Sequence, residues 1–224
     1  MHAHKTFILV SKMLATLSLI GLVWGAAICL TSLQPWTYHA YLPDLTSYDP
    51  YHLGEDKILK NYQAMVTYGL SPRYAGELEF QGLPMSAQGR QHFAEVRSVF
   101  QQILKITLIC LPVCLISMGY LRRQNIIGPL LWGPVLALLC PAAIGLVMLL
   151  DFNQAFTLFH QLVFRNDYWI FDPAQDPIIE YLPQAFFQSM AFIILLVLLA
   201  LCLVSLGLYF RYKHGEAKAP DHQE

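Results

Sequence analysis

Residues 184–210 read QAFFQSMAFIILLVLLALCLVSLGLYF, with no charged side chain and no proline. A hydrocarbon core about 30 Å thick is crossed by roughly 20 apolar residues in a helix, so this run predicts a membrane span. Three more windows qualify, 7–33, 98–120 and 126–150. Lipid offers backbone amides no partners, so each window must bond internally as a helix. The chain has 224 residues, 56 % of them hydrophobic and 13 % charged, which leaves little for a soluble domain. The expected fold is an all-α membrane protein: four transmembrane helices with a small extracytoplasmic cap and an interfacial helix. Its divisions are 1–33 (N-terminus and span one), 34–97 (extracytoplasmic cap) and 98–150 (spans two and three with a short inner loop). Then come 151–183 (extracytoplasmic interfacial segment), 184–210 (span four) and 211–224, a cytoplasmic tail read as disordered. Pro112, Pro134 and Pro141 predict kinks in spans two and three. Each removes one helical hydrogen bond, which neighbouring helices can replace.

Orientation follows from the lysines and arginines near the helix ends. Lys5 and Lys12 flank span one, Arg122 and Arg123 fill the turn between spans two and three, and Arg211, Lys213 and Lys218 follow span four. These places are expected to be cytoplasmic, with both termini. The segment after span one sets Asp44, Asp49, Glu55, Asp56, Glu77, Glu79 and Glu95 against Lys57, Lys60, Arg73, Arg90 and Arg97. After span three, Arg165 stands against Asp151, Asp167, Asp172, Asp176 and Glu180. Both segments are therefore expected outside. A net charge of −1 argues against nucleic acid as a partner.

Lys5 followed by an apolar run and Gly25-Ala26-Ala27 has something of a signal peptide, but the run is too long for an ordinary one, and its retention as span one is expected. Cys29, Cys110, Cys114, Cys140 and Cys202 all fall in spans, which leaves no outer thiol for a disulfide, a metal clip or a nucleophile. Trp24 and Trp132 also lie in spans and read as packing residues.

In the first outer segment Ile58, Leu59, Tyr62, Met65 and Val66 recur at helical spacing and predict an amphipathic helix over 57–68. Glu77-Leu78-Glu79-Phe80 alternates as a short strand does. Ser86 is placed to cap a helix that runs through Phe93, Val96, Val99, Phe100 and Ile103 into span two. His92 rides on that helix, with Glu95 one turn on, close enough to orient the imidazole or raise its pKa. In the second outer segment Asp151 is placed to cap a short helix whose stripe Phe152, Phe156, Phe159 and Val163 suits the headgroup plane. His160, four after Phe156 and four before Phe164, borders this stripe and is expected to look toward acyl chains. Tyr168 and Trp169 read as interface anchors. Arg165 is expected to pair with Asp167 or Asp172, the alternative being to stabilise an oxyanion.

Several uses of the outer histidines stand side by side: structural hydrogen bonding, a metal site built from His39, His52, His92 and His160, and general acid–base chemistry on a lipid ester. No pair has His-x-x-x-His or His-x-His spacing. His39-Ala40-Tyr41-Leu42-Pro43-Asp44 has the His-x4-Asp spacing of some acyltransferases, but Pro43 falls where that motif expects a helix.

One further feature is a resemblance. The string Asp151-Phe152-Asn153-Gln154-Ala155-Phe156-Thr157-Leu158-Phe159-His160, then Phe164-Arg165-Asn166-Asp167-Tyr168-Trp169-Ile170-Phe171-Asp172-Pro173 and Asp176-Pro177-Ile178-Ile179, resembles a motif of the bacterial lipoprotein intramolecular transacylase family. His92-Phe93-Ala94-Glu95-Val96-Arg97 is similar to that family's other histidine motif, where His-x-x-Asp-Val-Lys is the commoner form. The four-span layout is similar too. The resemblance implies a membrane acyltransferase of Gram-positive bacteria that moves the sn-2 acyl chain of a diacylglyceryl lipoprotein to the α-amine of its N-terminal cysteine, giving the lyso form. It implies His92 and His160 as the catalytic pair, with Glu95, Arg165, Asp167, Trp169 and Asp172 supporting. The implied partners are the diacylated lipoprotein and membrane lipid, with no obligatory protein partner, no metal and no cofactor.

The chemistry suits histidine. An α-amine with a pKa of about 7.7–8.0 must lose a proton before it attacks an ester. Imidazoles can take that proton and return one to the departing oxygen, each worth about 10²–10⁴ in rate. Amine and ester share one substrate molecule, so orientation alone can supply effective molarities of about 10⁵–10⁸ M. His92 stands about 15 Å of helix above the surest apolar part of span two, so the two outer segments are expected to tilt until the imidazoles come within about 10 Å. The alternative, from a different class, is a non-enzymatic membrane protein with a pH- or metal-responsive histidine cap.

Overall fold

The computed structural model describes residues 2–218. Seven α-helices follow in order: α1 His2–Leu33, α2 Trp36–Tyr48, α3 Gly54–Leu70, α4 Ala87–Arg123, α5 Pro129–Leu150, α6 Phe152–Val163 and α7 Gln184–Lys218, with a 3₁₀ turn at Pro177–Tyr181. The described residues contain no strand. Among the described residues four helices are long and apolar enough to cross a membrane; they contain the windows 7–33, 98–120 and 184–210, and all of 126–150 except its first three residues. Their outward residues, such as Leu108, Ile116, Leu150 and Leu203, are large, apolar and exposed, as a lipid-facing surface requires.

The residues form two compact units. Among the described residues, one consists of those within Met1–Ala27, Ile106–Ala143 and Leu195–Glu224. Small residues let its helices approach: a Cβ on Gly21 would lie 2.7 Å from Cys110 Sγ, one on Gly133 would lie 2.7 Å from Leu19 Cδ2, and one on Gly25 would collide with Thr107. The prolines of α5 do not end the helix. Pro134 and Pro141 lack the N–H groups that would otherwise bond the carbonyls of Leu130 and Ala137. Neighbouring helices supply the missing donors: Ser205 Oγ donates to Leu130 O at 3.1 Å, and Trp24 Nε1 to Ala137 O at 3.1 Å. Trp24 is thus more than packing.

The tail expectation needs correction, because α7 continues as helix to Lys218. Tyr212 donates to Asn125 Oδ1 at 3.2 Å and its ring lies beneath the Arg122 guanidinium, which supports the extra turns. The rest of that expectation, 219–224, lies outside the described residues.

The second unit comprises Ile28–Lys105 and Ile144–Ile194. Its core gathers Tyr38, Leu42 and Leu45 of α2, Ile58 and Tyr62 of α3, Leu78, Phe80, Leu83 and Met85 of the following loop, Phe93 of α4, and Ile178, Tyr181 and Phe186. Tyr38 and Tyr62 stack at 3.9 Å, and Phe186 meets both edge-on. α3 covers the expected 57–68 and extends it at both ends. α2 was not foreseen, because Pro43 read as a breaker. In fact it deletes only one amide bond, and burial of Tyr38, Leu42 and Leu45 holds the helix. The alternation at Glu77–Phe80 does bury Leu78 and Phe80, but as extended loop: no second strand lies beside it, and buried Asn61 clamps the segment through Gln81 N–H (2.7 Å) and Gln81 O (3.1 Å).

Candidate active site

The site is built at the start of α4. Ser86 caps this helix, its Oγ accepting the Gly89 N–H at 2.9 Å, one of the amides a helix start leaves unpaired. Ser86 is itself held by the buried carboxylate of Asp176, which accepts its N–H (2.8 Å) and its hydroxyl (2.6 Å). Glycine is required at 89, because a Cβ there would run into that carboxylate. One turn on, His92 is 7 % exposed, and it lies ahead of the apolar window 98–120.

The other half comes from α6. Asp151 caps it, accepting Gln154 N–H at 3.0 Å. The helix ends where Phe164 turns extended and its N–H closes on His160 O at 2.8 Å. His160 is only 9 % exposed. The predicted stripe is divided: Phe159 and Val163 are exposed, together with Leu158 and Leu162 beside them, whereas Phe152 and Phe156 are half-buried and His160 turns inward instead of toward acyl chains.

The two imidazoles meet with centroids 6.1 Å apart and planes inclined by 36°. Phe164 touches both, at 4.9 Å from His92 and 5.6 Å from His160. Phe171 closes on His92 at 5.5 Å, while Phe156 and Trp169 flank His160 at 4.1 and 4.8 Å. An aromatic enclosure therefore surrounds the pair. A cavity of about 240 Å³ lined by Tyr68, Glu77, Leu78, Ala87, Arg90, Gln91 and Ala94 includes neither histidine.

Burial sets the electrostatics. Loss of hydration, then the neighbouring His160 ring, pushes His92 down to about 4, with Glu95 acting in the opposite direction. His160 is lowered by burial as well, despite the Phe156 carbonyl that favours its protonated form. That carbonyl lies 2.8 Å from His160 Nδ1 and can only accept, so Nδ1 carries the proton and Nε2 of the neutral ring is a free base. His92 Nδ1 and Trp169 Nε1 are both buried without a protein partner.

The structure thus brings together His92, His160 and Trp169. Glu95 does not bond the His92 ring: it accepts from Asn166 Nδ2 at 3.0 and 3.1 Å and from Gln91 Nε2 at 3.0 Å. The expected upward shift of His92 is overturned by desolvation, which outweighs one carboxylate. Arg165 and Asp167 are exposed, and Arg165 forms no ion pair: the salt bridge found among the described residues is Lys60–Asp56. Asp172 spends its carboxylate on its own loop, on Ala174 N–H at 3.0 Å and Gln175 Nε2 at 3.3 Å. His39 and His52 are exposed. No group of three or more His, Cys, Asp or Glu among the described residues is arranged to hold a metal ion. Sequence reasoning gave no role to Asn166, Asp176, Phe164 and Phe171, although all four lie in the motif that carries the resemblance and Phe164 stands four residues after His160.

Comparison with known proteins places these features in context. The family model for lipoprotein intramolecular transacylase Lit matches residues 11–187. The solved structure of the membrane-integral lipoprotein intramolecular transacylase Lit from Bacillus cereus is 30 % identical, with a TM-score of 0.88 over 96 % of this chain and 100 % of that one. A form of the same Bacillus cereus protein with a histidine replaced by arginine is 29 % identical, with a TM-score of 0.83 over 98 % of this chain and 97 % of that one. The corresponding alanine form is 30 % identical, with a TM-score of 0.82 over 97 % and 99 %. No curated protein matches the sequence.

Proposed function

The chain belongs to the lipoprotein intramolecular transacylase family, and from that premise we propose that His92 and His160 are its catalytic pair. The reaction is transfer of the sn-2 acyl chain of a diacylglyceryl lipoprotein to the α-amine of its N-terminal cysteine. The observation that carries this reading is the approach of the two imidazoles to 6.1 Å inside an aromatic enclosure.

The amine nitrogen adds to the ester carbonyl carbon, and an imidazole nitrogen takes the amine proton. The tetrahedral intermediate then expels the sn-2 oxygen, which receives that proton. An ester becomes an amide and the histidines return to their neutral state. Burial supports this use, since both rings rest neutral near pH 7 and are ready as bases. Positive charge on one ring disfavours it on the other, so the pair carries one added proton at a time. The enclosure excludes water, which would otherwise compete with the amine. Glu95 and Asn166 position the rings by tying α4 to the loop after α6.

By the distribution of Lys and Arg, the site belongs to the extracytoplasmic leaflet and both termini to the cytoplasm. The exposed apolar face of α6, Leu158, Phe159, Leu162 and Val163, suits a helix lying among headgroups. The non-enzymatic alternative has no observation in its favour. Mass spectrometry of lipoprotein N-terminal lipopeptides from cells with and without this chain tests the function. The lyso form should appear only with the chain, and an unchanged acyl arrangement would refute the proposal.

A further inference from the structure

An indole N–H is a donor only, and burying it without an acceptor is unfavourable. Native proteins leave few such groups, and a ligand is one way to complete them. The described buried side-chain polar atoms without a partner are Thr31 Oγ1, His92 Nδ1 and Trp169 Nε1. Two of these belong to the one ring cluster. The Trp169 ring centroid lies 4.8 Å from that of His160 and 6.3 Å from that of Phe156, so the indole with the unused donor packs against the ring that holds the free base.

We propose that the indole N–H of Trp169 donates to the ester carbonyl oxygen of the substrate and stabilises the oxyanion formed there, which makes Trp169 a catalytic residue. This rests on the acyl-transfer reading above. As the amine nitrogen bonds to the carbonyl carbon, the π electrons move to oxygen and the amine proton passes to an imidazole. The oxygen is then an anion in a site closed to water, where a fixed donor gains most. When the C–O bond to glycerol breaks, the carbonyl re-forms and the leaving oxygen takes the proton. An unpaired ring nitrogen and an unpaired N–H together match what this step demands, an acceptor for the amine and a donor for the oxygen.

Several other donors nearby are committed or misplaced. His160 Nδ1–H is taken by Phe156 O, and the Phe164 N–H by His160 O. The amide of Asn166 is spent on Glu95. Arg165, the cation that sequence alone offered for the oxyanion, is exposed.

The test uses the full-length protein in lipid vesicles with a synthetic diacylglyceryl-cysteine lipopeptide. Trp169→Phe keeps an aromatic ring, and benzothienylalanine in place of Trp169 exchanges only the N–H for sulfur. The isostere should lower kcat by about 10²–10³, with little change in KM and an unchanged pH profile. Turnover of the isostere within about tenfold of wild type, or a loss confined to KM, overturns the assignment. Should Trp169→Phe fail to fold, the isostere alone decides. His92→Ala and His160→Ala, run beside it, separate the two layers. If both are inactive while the isostere turns over normally, only the Trp169 role fails. If His160→Ala turns over normally, the catalytic pair itself is wrong.

Discussion

The Nδ1 of His160 lies 2.8 Å from the carbonyl oxygen of Phe156, one helical turn earlier on α6. This contact fixes the ring's tautomer and rotamer before any substrate arrives, and it leaves Nε2 as the basic atom. His92 reaches the same place from a helix whose start is held by Ser86 and Asp176. Each ring of the pair thus comes from a separate segment with its own anchor, which fits the proton-transfer role proposed for them.

The depressed histidines define a pH response. Burial holds both rings below the ordinary histidine value, with His92 titrating near about 4. In the approach to pH 8, kcat/KM should therefore rise with the single ionisation of the substrate amine, whose pKa is about 7.7–8.0. Two superposed ionisations near pH 7, read from the slope of the log profile, would contradict neutral resting rings.

The same shifts bear on stability. Below the ordinary histidine value the unfolded chain takes up protons that buried His92 and His160 refuse, so unfolding is favoured as pH falls from about 6.5 toward 4. The melting temperature in detergent should drop over this window, and His92→Phe should flatten the drop. A melting temperature indifferent to pH there would mean that the rings are hydrated.

Gly89 offers a structural test of the α4 anchor. Gly89→Ala drives a Cβ into the Asp176 carboxylate, whereas Gly119→Ala on the same helix meets open space. The first should cost about 1–3 kcal/mol and weaken turnover by disturbing His92, and the second should be neutral or stabilising. Thermal unfolding and activity of the two variants, measured together, check this.

Ser205 and Pro134 should be energetically coupled. Ser205→Ala leaves the Leu130 carbonyl without its donor, at a cost of about 0.6–1.7 kcal/mol. In a Pro134→Ala background the restored amide fills that role, and the Ser205 substitution should cost little. A double-mutant cycle on unfolding free energy measures the coupling, and additive effects would show that the carbonyl does not need Ser205.

The spans, the capped helix at Asp151 and the cap at Ser86 were legible because each depends on neighbours in sequence. The same locality misled at Pro43, where one missing amide was weighed without the buried Tyr38, Leu42 and Leu45, and at Glu77–Phe80, where alternation marked burial but no strand lay alongside to pair with. Pairings across the chain were out of reach. Glu95 is 71 residues from Asn166, and Ser86 is 90 from Asp176, so a carboxylate beside a histidine in sequence looked like its partner when its bonds lie elsewhere. Arg165 invited a salt bridge by proximity, and loop geometry gives the Asp172 carboxylate the donors of Ala174 and Gln175 instead.

The most direct test of the account is intramolecular transfer by purified protein in lipid vesicles, followed by tandem mass spectrometry that locates the acyl chain on the lipopeptide. Wild type should convert the sn-2 ester to the N-acyl amide, and His92→Ala and His160→Ala should each be slower by about 10²–10⁴. N-acylation by either variant at the wild-type rate, with its fold intact, would contradict catalysis by the pair.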